Sequence, residues 1–438
     1  MRPGVQACRR VMRAIWTSMD RRDRREQTGP MTTTNTGTAP WRRAAHGANL
    51  LGAEGSLAGT IFEEMTGLAA AHGAVNLGQG FPDEDGPVQI LNAARHAIAE
   101  GANQYAPGRG LPVLREAIAA HQARFYGLTV DPAEQVLVTT GATEAIAAAL
   151  LAFAGPGDEV LTFEPFYDSY GAVIELTGAR HVTVPLREPD FLPDEDELAA
   201  AVTDRTRVIL VNNPHNPTGS VFGAALLARV VEEAARHDAI IVTDEVYEHL
   251  VFDGGRHVPV ATLPGAAERT LTISSAGKTF SVTGWKVGWL TGPADLVAGV
   301  RTVKQFLTYS SGSPLQGAVA LGLGLGDDVY AGFAAALQRR RDLLIDGLRG
   351  AGFDVTVPAG TYFVVADATP LLTGDVTDGA ELCRRLPGTA GVAAIPLSAF
   401  CRPGSATDAA SARLIRFAFC KREDVLAEAV RRLQAFGH

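Results

Sequence analysis

Cysteine is scarce in this chain: Cys8, Cys383, Cys401 and Cys420 are the only four among 438 residues. None stands in a CxxC pair or beside histidines at the spacing of a zinc site, so no metal is expected and the four read as reduced thiols of a cytoplasmic protein. An excess of positive charge is also missing. With 39 basic against 48 acidic side chains the formal charge is -9, which leaves no electrostatic footprint for nucleic acid. Long apolar runs are absent too. The alanine-rich stretch from Ala142 to Ala154 contains Glu144 and falls short of the roughly 20 residues that cross a bilayer, so no membrane span is expected.

What is present is ordinary globular composition, 46% hydrophobic and 20% charged, which fits a folded enzyme acting on small molecules. The length exceeds what one hydrophobic core usually serves, so two lobes with a crevice are expected. In the first 30 residues, eight arginines surround one short apolar patch, Val11 to Trp16. That patch is too short for a signal peptide, and the segment reads as a tail.

From Val136 onward, short β-prone runs alternate with helical stretches, the pattern of an α/β fold with a mostly parallel sheet between helices. The expected strands are Val136–Thr140, Glu159–Phe163, Arg207–Val211, Ala239–Thr243, Leu271–Ser274 and Gly288–Thr291. After about Tyr330 the pattern changes to helix Ala331–Arg349, strands Tyr362–Ala366 and Leu414–Phe419, and a last helix from Glu423. The expected layout is a disordered extension at 1–50, a segment at 51–75 joining the small lobe, a large lobe at 76–330 and a small α+β lobe at 331–438.

Four motifs carry chemistry. Lys278 follows an apolar strand, at the carboxyl edge where open α/β sheets bind ligands. Alone it would read as a snorkelling surface lysine, but Ser275 and Lys286 flank it as candidate phosphate ligands. Asp244 ends the strand Ile240–Thr243, with Tyr247 three residues on; an Asp there often caps the next segment. Asn216 lies in an Asn-Pro-His-Asn-Pro turn, and Thr140-Gly141-Ala142-Thr143 is a strand-to-helix turn whose amides suit a phosphate. Together these meet the needs of pyridoxal 5′-phosphate (PLP): a lysine for covalent attachment, an anion for the ring nitrogen, donors to the phenolic oxygen and a phosphate cradle.

In this order the motifs resemble the class I aminotransferases of PLP fold type I. Within them, Val75–Asp83, Asn103–Tyr105 and Glu164–Tyr170 are most similar to the N-succinyldiaminopimelate and the kynurenine/glutamine/methionine aminotransferase groups. The resemblance implies fold type I, covers the chain from about Thr60, and assigns further roles. Tyr167 would stack on the cofactor ring, and Ala142 and Thr143 would bind phosphate through the backbone. Tyr105 would reach the neighbouring site of a homodimer. Arg416 would grip the substrate carboxylate near Gly80 and Asn216, with Phe62 and Tyr309, and beside them Phe81 and Arg109, as candidate pocket walls.

The implied activity is ping-pong transfer of an amino group between an amino acid and a 2-oxo acid, with Lys278 moving the proton. N-succinyldiaminopimelate with 2-oxoglutarate is the first expectation for the substrates. Kynurenine, glutamine or methionine donors, and β-elimination by a carbon–sulfur lyase, are the alternatives. A PLP-binding regulator is the least favoured, since the arginines ahead of the fold show no helix-turn-helix pattern.

Overall fold

The computed structural model describes residues 39–52 and 55–437; the arginine-rich opening lies outside them. A short strand β1 (Val75–Asn76) precedes an eight-stranded sheet. Its members are β2 (Val136–Thr140), β3 (Glu159–Glu164), β4 (Arg180–Arg187), β5 (Leu192–Pro193), β6 (Thr206–Asn212), β7 (Ile240–Asp244), β8 (Thr270–Ser275) and β9 (Val287–Thr291). They lie in the order β2-β9-β8-β7-β6-β3-β4-β5.

The central strands β3 and β8 are buried along their whole length, because both faces are covered. Alternate residues of β6 go to opposite layers: Val208 and Leu210 join the core under helix Gly141–Phe153, while Ile209 and Val211 join the core under helix Ala224–Arg236. That second helix buries Leu227, Val230, Val231 and Ala234, the one-sided stripe of an amphipathic helix.

The six expected strands all form, within a residue at each end, and β4 and β5 are additions. Pro185 argues against a strand in sequence, yet it sits at the end of the β3–β4 pairing, opposite Glu164. The direction of β9 is the second finding. β3, β4, β6, β7 and β8 are mutually parallel, but β9 runs antiparallel to both β2 and β8. In consequence the start of β9 lies beside the ends of β2 and β8: Gly288 is opposite both Thr139 and Ser275. The parallel neighbours bring Asn212 and Asp244 to the same edge, in register with each other.

A second, antiparallel sheet contains β10 (Asp354–Val355), β11 (Phe363–Asp367), β13 (Ile395–Pro396) and β14 (Leu414–Ala418), in the order β10-β11-β14-β13. β12 (Val392–Ala393) pairs instead with β1, Val75 opposite Val392. Helix Asp327–Gly350 starts four residues before its expected position.

Residues 40–47 depart from the expected irregular extension by forming a helix. Proline suits a first helical position and the Arg-Arg-Ala-Ala run favours helix. Arg43 then donates to the Glu175 and Leu176 carbonyls, which satisfies acceptors left open at a helix end.

Candidate active site

At the carboxyl edge of the large sheet lies a cavity of about 310 Å³, closed on its far side by residues of the second sheet. Lys278 lines it from the short helix Ala276–Thr279 that directly follows β8. Burial, reinforced by the charges of Arg416 and Lys286, pulls the Lys278 ammonium down to about 8, against the opposing influence of Cys420 and Asp244. Its Nζ donates to the Tyr362 hydroxyl at 2.6 Å and stands 3.4 Å from the Gly80 carbonyl.

Asp244 ends β7 and is buried. Burial raises its pKa, while a 2.6 Å hydrogen bond from Tyr170 to Oδ2, the Val246 amide and Lys278 act in the other direction. Asn212, its pairing partner on β6, joins two segments: Nδ2 donates to the Asp244 carbonyl at 2.9 Å and Oδ1 accepts from the Asn216 amide at 2.7 Å. This ties the Asn-Pro turn to the strand end carrying Asp244. Tyr247 is buried against the edge of Tyr362, and burial pushes its phenol well above the ordinary range.

Arg416, in the middle of β14, is 1% exposed. Its guanidinium lies 4.0 Å from the centre of the Phe363 ring and 4.5 Å from that of Phe400. Two N–H groups donate to Asn216 Oδ1 at 2.9 Å and the Gly78 carbonyl at 3.0 Å, and Nε has no partner. Among the described residues no carboxylate pairs with it. Removing a cation from water without a counter-ion is costly, and burial pulls its pKa down to about 10. A position of this kind suits an anionic ligand.

The remaining donors come from turns. Gly141 has φ +73°, and a Cβ there would stand 3.3 Å from Lys286 Cε, so glycine meets both the backbone and the space requirement. Ala142 and Thr143 line the cavity at the first turn of the following helix, where amides lack intrahelical acceptors. Ser275 and Lys286 line the same end. Tyr167 adds a ring set edge-on to Tyr170, its phenol pushed up to about 12 mainly by burial. Gly80, Phe62 and Phe81 line the opposite side; any Cβ on Gly80 would lie 2.5 Å from Phe363. The set fits PLP: a reactive amine, a buried carboxylate, phenol and amide donors, and a glycine turn with one cation, Lys286, beside it are gathered in one cavity.

Three of the expected residues, Tyr105, Tyr309 and Arg109, lie outside the cavity of their own chain. Tyr105, 81% exposed, packs edge-to-face on Tyr309 with centroids 5.6 Å apart, beside a separate depression formed with Ser310–Pro314. Arg109 does not line the cavity either; it donates to the Ala133 carbonyl and pairs with Glu134 at 2.8 Å.

Tyr170, Tyr362 and Asn212 were missed by sequence reasoning. The first two give no local sign, since their partners Asp244 and Lys278 are 74 and 84 positions away. Sequence spacing also shows nothing of a buried group of His121, Glu248 and His249, whose potential donor atoms lie within 4.8 Å of one another. Its members bond internally, His121 Nε2 to His249 Nε2 at 2.8 Å, with Ser274 donating to Glu248 at 2.5 Å.

Comparison with known proteins agrees with this geometry. Residues 73–433 match the family model for aminotransferase class I and II. The chain is 55% identical over 385 residues to a probable N-succinyldiaminopimelate aminotransferase of Mycobacterium tuberculosis, covering 86% of this chain and 96% of that protein. It is 41% identical over 375 residues to the methionine aminotransferase of Escherichia coli, covering 86% and 95% respectively. A solved structure of N-succinyldiaminopimelate aminotransferase from Mycobacterium tuberculosis superposes with a TM-score of 0.83 at 54% identity, over 86% of this chain and 97% of that one.

Proposed function

The chain belongs to the class I and class II aminotransferases and is a PLP-dependent transferase of amino groups; we propose that its amino donor is N-succinyldiaminopimelate and its acceptor 2-oxoglutarate. The likeness to the mycobacterial enzyme over nearly its whole length supports this choice of substrate. The observation that carries the catalytic reading is Arg416, a buried cation without a carboxylate partner among the described residues, lining one cavity with Lys278.

Bound PLP supplies an electron sink for the substrate Cα and carries the amino group between the two half-reactions. Lys278 attaches it through Nζ. Asp244, steadied by Tyr170, holds a proton on the ring nitrogen. Because Asn216 Oδ1 is taken by Arg416, its Nδ2 is the end left to donate to the phenolic oxygen, together with Tyr247. Tyr167 takes the ring face, and Ser275, Lys286 and the amides of Ala142 and Thr143 take the phosphate. Arg416 and the Gly80 backbone orient the α-carboxylate, and Phe62 closes that side. As a free amine, Lys278 would take the proton from substrate Cα, a task suited to an amine whose pKa is lowered to about 8.

The reading includes a homodimer in which Tyr105 and Tyr309, outside the cavity of their own chain, serve the neighbouring one. It also includes a cytoplasmic setting, and a large lobe at 76–330 with a small lobe at 331–438. Borohydride treatment of the purified protein should fix the cofactor on the peptide containing Lys278, and Lys278→Ala should lose both that link and transamination. A label on Lys286 overturns the assignment. Among N-succinyldiaminopimelate, methionine, glutamine and kynurenine, the first should give the highest kcat/KM with 2-oxoglutarate. A higher value for any other donor overturns the substrate.

A further inference from the structure

Tyr362 is fully buried just ahead of β11 and its position is fixed from several directions. Its carbonyl accepts from the Phe419 amide at 2.9 Å, and its ring is set edge-on to Tyr247 and Phe363, at 5.2 and 4.8 Å between centroids. Its hydroxyl donates to the Gly80 carbonyl at 2.6 Å and lies 2.6 Å from Lys278 Nζ. Burial keeps this phenol protonated far above its ordinary range.

A phenol has one proton, and here the Gly80 carbonyl takes it. Toward Lys278, therefore, Tyr362 presents only a lone pair, and the Gly80 carbonyl likewise can only accept. Both contacts claim N–H hydrogens of the amine. The one group of a neutral amine left unclaimed is its own lone pair, and Lys278 lines the cavity. Hydrogen bonds of this polarity aim a base without consuming its basicity.

We propose that Tyr362 is a positioning residue for the proton-transferring amine: by accepting from Lys278 Nζ while donating to Gly80, it directs the lysine lone pair to the substrate Cα and ties its placement to the loop that meets the substrate carboxylate. This rests on the assignment of Lys278 as the reactive lysine. The other groups facing Lys278 are Asp244 and Tyr247 at the end of β7, Cys420 and Arg416 from β14 and its exit, and Lys286 ahead of β9. None of them is placed to accept from Nζ within hydrogen-bond distance.

The test uses the full chain freed of cofactor, labelled with acetic anhydride over a pH series, with acetylation of Lys278 followed by peptide mass spectrometry. The wild-type amine should titrate near 8. In Tyr362→Phe the ammonium loses an acceptor, so the midpoint should fall by about one pH unit. With PLP restored, exchange of the Cα hydrogen of L-glutamate in D2O should slow about ten-fold, with KM changed less than about two-fold. Tyr362→Gln, which keeps an acceptor and a donor, should return the midpoint toward the wild-type value. An unchanged midpoint and exchange rate in Tyr362→Phe overturns the proposal, as does a Tyr362→Gln midpoint no nearer to wild type. If Tyr362→Phe is not recovered folded, a Tyr362→Gln midpoint a full unit below wild type overturns it. Failure of the wild-type Lys278 to titrate low would instead overturn the assignment of the lysine, so the two failures are distinguishable.

Discussion

Arg416 keeps its charge where the described residues offer two neutral acceptors and three aromatic rings. Two opposite effects of substitution follow. Arg416→Lys keeps the charge but loses the planar fork, so KM for the donor should rise and kcat/KM fall roughly 10- to 100-fold, about the worth of one charge-assisted hydrogen bond. Arg416→Met removes a desolvated charge and should abolish turnover while leaving thermal stability unchanged or higher. Steady-state kinetics and a melting curve on the same preparations check both. Asp244 and Lys278 could be picked out in sequence because each sits in a short motif at the end of an apolar strand, whereas Arg416, inside β14, was singled out only through the resemblance. Tyr170 and Tyr362 were not, because a tyrosine acting on a residue more than 70 positions away looks like any core tyrosine.

Among elements, β9 does the most to shape the site. Its residues Val287–Thr291 have the apolar run of any buried strand, and nothing in such a run encodes direction; only the pairing shows that it is reversed. Reversal sets Lys286 beside the turn that begins at Gly141, and this requires a close approach of backbones. A Cβ on Gly288 would stand 2.5 Å from Gly141 C and 2.7 Å from the Ala142 nitrogen. Gly288→Ala must therefore push the turn at Gly141 and Ala142 away. The expected outcome is a loss of PLP affinity of at least about ten-fold and destabilisation on the order of 1–3 kcal/mol, read by titrating cofactor into the cofactor-free protein and by denaturant unfolding. Unchanged affinity would mean that the turn does not hold the phosphate. The strands were legible from their apolar runs, whereas β4 was obscured by Pro185.

For the molecule as a whole, the question is what covers Tyr105, which packs on Tyr309, and Phe306, which is 86% exposed. If Tyr105 serves the neighbouring subunit, damage to the two residues can be complemented. Co-refolding Tyr105→Ala with Lys278→Ala should produce hybrid dimers in which one of the two sites has both residues intact. At random pairing, activity should approach about a quarter of the wild-type value per site and exceed that of either parent. Activity no higher than the parents' average would exclude the shared site. The expectation of a homodimer comes only through resemblance, because exposure of Tyr105 is a property of folded surface.

The order of the large sheet also governs when the site can exist. β2 has a single neighbour in that sheet, β9, and more than 140 residues separate them. As the chain leaves the ribosome, β3, β4, β6, β7 and β8 can pair among themselves, while β2 and the glycine turn at its end wait for residue 291 to emerge. The glycine turn after β2 therefore cannot meet Gly288 and Lys286 until the chain has been made that far, and this corner of the cavity closes late in synthesis.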